Sequence, residues 1–133
     1  MRTKFLPFFV CLIMSMSVAR AQQGDVFDSL AKYFSASDAP KISTLFSSTL
    51  EMNILSEENV YSKAQAEQIM RDFFSKNEPV SIKILHRLNS NPNFKLAVFS
   101  MATAEDKFRI SISLSSDAET FLVKQIRIEY DKQ

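Results

Sequence analysis

The sequence predicts an α+β domain: three N-terminal helices packed on a curved antiparallel sheet that carries a small hairpin at its edge. Two observations lead there. Apart from a short alternating hairpin between Leu50 and Tyr61, apolar residues recur at helical spacing as far as Phe74 and then at every second position from Val80 onward, with Pro79 at the changeover. Composition supplies the other. Of 133 residues 46% are apolar, enough for one core, whereas one glycine and one cysteine exclude a glycine-built phosphate loop and an internal disulfide framework.

Val26, Phe27, Leu30, Tyr33 and Phe34 define the first helix, and Asp25 and Asp28 sit near its start, where the helix dipole favours negative charge. Asp38 suits an N-cap and Pro40 a first turn, so Ile42, Leu45 and Phe46 are expected to form the stripe of a second, short helix. Leu50, Met52 and Ile54 alternate with Glu51 and Asn53 as a strand. Ser56-Glu57-Glu58-Asn59 is then expected to turn the chain into a brief strand at Val60-Tyr61, making the edge hairpin. Ser62 followed by Gln65 is a capping box, and Ala66, Ile69, Met70, Phe73 and Phe74 line one side of the longest helix, which ends near Asn77.

Four strands follow. Their expected faces are Val80, Ile82, Ile84, His86 and Leu88; Phe94, Leu96 and Val98; Phe108, Ile110, Ile112 and Leu114; and Leu122, Ile126, Ile128 and Tyr130. Short polar breaks join them as antiparallel neighbours. The second of these strands is also apolar at Ala97, Phe99 and Met101, so it needs cover on both sides. Helices cover one side; the curl of the sheet, a second copy of the chain or an envelope protein partner is expected on the other.

Residues 1–21 read as a cleaved signal peptide. Arg2 and Lys4 precede the apolar stretch Phe5 to Val18, and Ala19-Arg20-Ala21 gives a small-x-small cleavage pattern. That stretch, broken by Pro7, is too short to span roughly 30 Å of hydrocarbon. Residues 22–133 are then one domain, exported to the periplasm or secreted, with no membrane attachment after cleavage. Loss of Arg2, Lys4 and Arg20 takes the formal net charge from +1 to −2 and loss of Cys11 leaves no thiol. A core of this size buries roughly 65% of the unfolded surface. The lysines are scattered singly, which does not fit a phosphate-binding face, and no nucleic acid partner is expected.

Candidate chemistry is sparse. His86 is the one imidazole, expected beside Ile84 and Leu88 under the helices; without a His-x-x-x-His or Cys-x-x-Cys spacing, no metal or other cofactor is expected. Tyr130 lies on an apolar strand face as a hydroxyl donor. Glu51 and Glu129 fall on polar faces, where burial gives no reason for a raised pKa. Ser111, Ser113 and Ser115 alternate with Ile110, Ile112 and Leu114 to form a small polar strip flanked by Lys107 and Arg109, which suits solvent or an extended ligand. His86, Tyr130 and Arg109 are the ligand-binding candidates, and no residue is assigned a catalytic role.

The order of elements resembles the NTF2-like (cystatin-like) fold, a curved sheet wrapped round a long helix as a cone with a pocket. Within it, YSKAQAEQIMRDFF (Tyr61 to Phe74), the Glu78-Pro79-Val80 entry to the next strand and KFRISISL (Lys107 to Leu114) resemble an uncharacterised family of exported Bacteroidetes proteins, domain of unknown function 4783. The resemblance implies an envelope location and brings no catalytic residues. Together these readings give a non-catalytic envelope protein that binds a small apolar ligand or a protein partner through the sheet. The competing reading is a pocket enzyme of isomerase or dehydratase type with His86 and Tyr130 as its acid-base pair.

Overall fold

The computed structural model of the chain describes residues 25–117 and 120–132, so the signal-peptide reading of residues 1–21 lies outside the described residues. Helix α1 spans Val26–Ser35, and Asp25 caps it by accepting the Phe27 N–H. The helix closes with Ser37 N–H donating to Phe34 O and Asp38 N–H to Tyr33 O, a reciprocal pair that asks for a left-handed residue at position 37. Ser37 supplies it at φ 54°, where glycine is usual. Asp38 then caps α2 (Ala39–Ser43). The second helix is shorter than its apolar stripe suggests, because Phe46 already belongs to a strand.

That strand, β1 (Phe46–Ile54), turns through Leu55 and Ser56 into β2 (Glu57–Ser62). The turn is two residues long, and the expected turn residues Glu57, Glu58 and Asn59 are paired in the ladder instead. Helix α3 (Lys63–Lys76) starts on the reciprocal Ser62–Gln65 capping box and stops at Asn77, whose N–H donates to Phe73 O. Then come β3 (Ser81–Leu88), β4 (Phe94–Ala102), β5 (Lys107–Asp117) and β6 (Thr120–Tyr130).

All six strands join one curved sheet in the order β2-β1-β6-β5-β4-β3. Four of its five pairings are antiparallel, and β1 lies parallel to β6, so the hairpin extends the main sheet through a long-range parallel contact. Register shifts interrupt β1, β3 and β6, and bulges of this kind bend a sheet.

The bulges also decide which residues face the helices. In β3, Ile84 pairs with Phe99 but His86 pairs with Val98, leaving Leu85 as the extra residue. The alternation therefore flips: Ile82 and Ile84 face the core, Arg87 follows them there opposite buried Ala97, and His86 and Leu88 turn outward. In β6 the shift around Lys124 buries Val123 and sends Leu122 to the outer face. In β4 the face beneath the helices is Ala97, Phe99 and Met101, all fully buried, while Phe94, Leu96 and Val98 are half-buried on the outside.

Between helices and sheet the core is aromatic. Phe34 stacks on Phe99 at 6.3 Å and meets Phe74 edge-on at 5.5 Å, and Phe27 meets Phe99 at 6.2 Å. These rings occupy the interior that a conical sheet encloses.

Candidate functional site

Helix α3 and the β1–β2 hairpin diverge at one end of the sheet, leaving a cleft of about 370 Å³. The helix contributes Ile69, Asp72, Phe73, Lys76 and Asn77, which share one face because they recur three or four residues apart. Ile54, Leu55, Glu57 and Tyr61 supply the opposite wall: pairing of Ile54 with Glu57 and of Leu50 with Tyr61 puts Glu57 and Tyr61 on the helix side of the sheet. Ile54, Leu55, Ile69 and Phe73 are buried or half-buried, and Glu57, Asp72 and Lys76 are exposed at the rim.

The lip of the cleft is conformationally costly. Leu55 and Ser56 both lie in the left-handed region, at φ 51° and 80°, positions where a two-residue hairpin turn favours Asn-Gly. For residues with a β-carbon this costs on the order of 1–2 kcal/mol each. The turn is held from below by the Leu55 N–H, which donates to Ile128 O at 2.9 Å. Keeping Leu rather than Asn there retains an apolar side chain in the cleft wall.

The rim carries two carboxylates and one ammonium, and among the described residues no ion pair engages Glu57, Asp72 or Lys76. Asp72 accepts one bond from Gln68 Nε2 at 3.1 Å. Asn77 is spent on the helix end, its Nδ2 donating to Phe73 O at 3.0 Å.

The residues singled out in the sequence lie elsewhere. His86 is exposed on the outer face, a correction that follows from the Leu85 bulge. Tyr130 pairs with Phe108 on the inner face at the sheet's end, half exposed at 50%, with its ring 5.1 Å from that of Phe108. Arg109 pairs with Glu129 and is exposed on the outer face. His86 and Tyr130 thus stand on opposite sides of the sheet, on strands separated by β4 and β5, and the structure does not assemble them as an acid-base pair.

Two polar clusters tie elements together. Arg87 reaches Asp25 at 3.0 Å and Asp28 at 2.6 Å, clamping the start of α1 to β3, and its hydrogen bond holds the Asp28 carboxyl below its ordinary value against the opposing effect of burial. The Ser43 hydroxyl donates to Glu67 at 2.6 Å and Arg71 pairs with Glu67 at 3.1 Å, joining α2 to α3; both interactions lower the Glu67 pKa, Ser43 most. Glu51 departs from expectation. The neighbouring Glu58 carboxyl, through a hydrogen bond and like charge, holds it above its ordinary value, a cross-strand effect that a single strand's pattern does not reveal.

Comparison with known proteins fits this geometry. Residues 27–129 match the family model described as Domain of unknown function (DUF4783). The chain belongs to the DUF4783 family. A DUF4783 family protein from Bacteroides uniformis superposes with a TM-score of 0.77 at 18% identity, covering 82% of this chain and 100% of that one. Another, from Bacteroides ovatus, gives 0.73 at 19% identity over 78% of this chain and 94% of that one. An NTF-2 like protein of unknown function from Silicibacter pomeroyi gives 0.59 at 9% identity over 80% and 90% of the two chains. The fold is NTF2-like. No curated protein matches the chain. The cleft residues were missed in the sequence because Asp72 and Lys76 look like an ordinary solvated helix face until the hairpin is placed opposite them.

Proposed function

We propose that this DUF4783 chain is a non-catalytic binding protein of the cell envelope that holds a small amphipathic molecule in the cleft between α3 and the hairpin. An apolar body packs on Ile54, Leu55, Ile69 and Phe73, and a positively charged head meets Glu57 and Asp72. The observation that carries this reading is the cleft itself: an apolar wall under a rim with one more carboxylate than ammonium and, among the described residues, no ion pair on any of them. The turn supports it, since an apolar wall residue is kept where Asn would relieve the backbone. The separation of His86 from Tyr130 speaks for binding over pocket chemistry. An envelope location rests on the signal reading of residues 1–21, and amino-terminal sequencing of envelope material should begin at Gln22.

The test titrates the chain from Gln22 with a medium-chain alkylamine and with the carboxylate of the same length. The amine should bind, and Glu57→Gln with Asp72→Asn should weaken it about tenfold or more, since a charge-assisted hydrogen bond contributes about 1.5–3 kcal/mol. Failure of the amine to bind, or equal affinity for both ligands, sinks the reading.

A further inference from the structure

The two edges of the sheet are finished differently. At one margin β3 carries Lys83 and the Leu85 bulge, and Arg87 fastens it to α1. Bulges and lysines are common means of keeping an edge from pairing further. At the other margin β2 pairs with β1 in unbroken register, holds no lysine or proline, and is exposed from Glu57 to Val60.

The register fixes which backbone groups stand open there. A two-residue turn makes Ile54 and Glu57 a hydrogen-bonded pair, and bonding alternates from that point. Glu57, Asn59 and Tyr61 therefore turn their backbone groups toward β1, and Glu58, Val60 and Ser62 turn theirs toward the open edge. Leu55 agrees, its N–H pointing away from β2 to Ile128 O. The Ser62 N–H is taken by the Gln65 side chain at 3.1 Å. Glu58 and Val60 are left, for among the described residues no bond beyond the β1 ladder reaches their backbone.

The side chains at this edge are acidic. Glu58 and Val60, the latter 68% exposed, lie on the outer face with Glu51, while Glu57 faces α3 beside Asp72. Among the described residues none of these four carboxylates is in an ion pair. Glu58 and Glu51 are close enough that Glu51 holds its proton above the ordinary value.

We infer that the β2 edge accepts an extended segment of a partner protein as an added strand, antiparallel to β2 and reading apolar-x-basic-basic. In this register the apolar residue lies against Val60, the first basic residue against Glu58 and the second against Glu57. The residues opposite Glu58 and Val60 exchange N–H···O bonds with them, which supplies the affinity, and the charges supply the choice of partner. A second copy of the chain does not fit, because two β2 edges side by side bring together four glutamates and no cation between Glu57 and Val60. Glu57 alone is shared with the cleft, so the inference does not rest on the amine reading.

Calorimetric titration of the chain from Gln22 with the end-capped peptide Thr-Val-Thr-Lys-Lys-Thr reads the outcome. The peptide should bind with a Kd between about 10 and 300 µM. Methylating the backbone nitrogens of its valine and first lysine, the two that bond to β2, should weaken binding about tenfold or more. Methylating those of the threonine between them and of the second lysine, which point away from β2, should leave the affinity within about threefold. Glu58→Lys and Val60→Pro should each weaken the peptide about tenfold or more; a proline whose nitrogen faces the open edge takes no bond from the β1 ladder. Both variants should bind the alkylamine as the wild type does, since neither residue lines the cleft. No saturation below about 1 mM, equal affinity for the two methylated isomers, or undiminished binding by Glu58→Lys would each overturn the inference. A chain that takes the amine and not the peptide sinks this inference alone, and the reverse sinks the cleft reading alone.

Discussion

The two ends of the helical layer are closed by different means, and only one is closed completely. Where α1 crosses β3, aromatic rings from α1, α3 and β4 fill the interior and Arg87 fastens the helix start to the edge strand. Where α3 meets the hairpin, the helix face mixes Ile69 and Phe73 with Asp72 and Lys76, and the opposing turn holds its backbone in a disfavoured region. The fold therefore gives up its central pocket and keeps a lateral one. Packing density at the first end leaves no freedom for a ligand, whereas the second end retains room and unspent charge.

The largest test of this contrast compares two phenylalanines. Phe34→Ala, in the filled end, should cost about 4–5 kcal/mol, because the rings around it cannot collapse into the space. Phe73→Ala, beside the cleft, should cost about 3 kcal/mol, since solvent can enter from the open side. Chemical denaturation measures both, and equal losses would erase the distinction between the two ends.

A smaller effect of opposite sign sharpens it. Ser56→Gly should stabilise the chain by about 1 kcal/mol by relieving φ 80°, with Leu55 left in the wall. A lower melting temperature in this variant would show that Ser56 is not strained.

The smallest effect belongs to the clamp. Asp28 binds its proton at lower pH in the folded chain than in the unfolded one, so the clamp contributes fully above the ordinary carboxylate value of 3.8 and is lost as pH falls through the depressed folded value. Thermal melts between about pH 5 and pH 2 should fall less steeply for Arg87→Gln than for the wild type. Parallel curves would mean that the ion pairs contribute nothing.

Much of the fold was legible because its signals are local. The Ser62–Gln65 box, the Asp38 cap, the helical stripe from Ala66 to Phe74 and the alternation after Pro79 each lie within a few residues and each appears in the structure. What escaped depends on partners distant in sequence. The extra residue at Leu85 is visible only against Phe99 and Val98, and it moved His86 out and Arg87 in. Strand β4 is apolar on both faces, so alternation alone did not say that Phe99 rather than Val98 lies under the helices. The parallel seam between β1 and β6 has no sequence signature in either strand. The cleft was hidden for a similar reason: a left-handed Leu55 looks like any strand leucine until the turn is seen to contain two residues.

That parallel seam also governs when the molecule can assemble. The last strand in chain order among the described residues is the third of six across the sheet, and Met52 has no neighbour on that side until Ile126 is in place. Without β6, the β1–β2 hairpin and the β3–β5 meander share no strand pairing and are linked only through the helices, and bringing β1 beside β6 closes a long loop. The sheet is therefore completed at its own middle, where β6 is inserted between β1 on one side and β5 on the other.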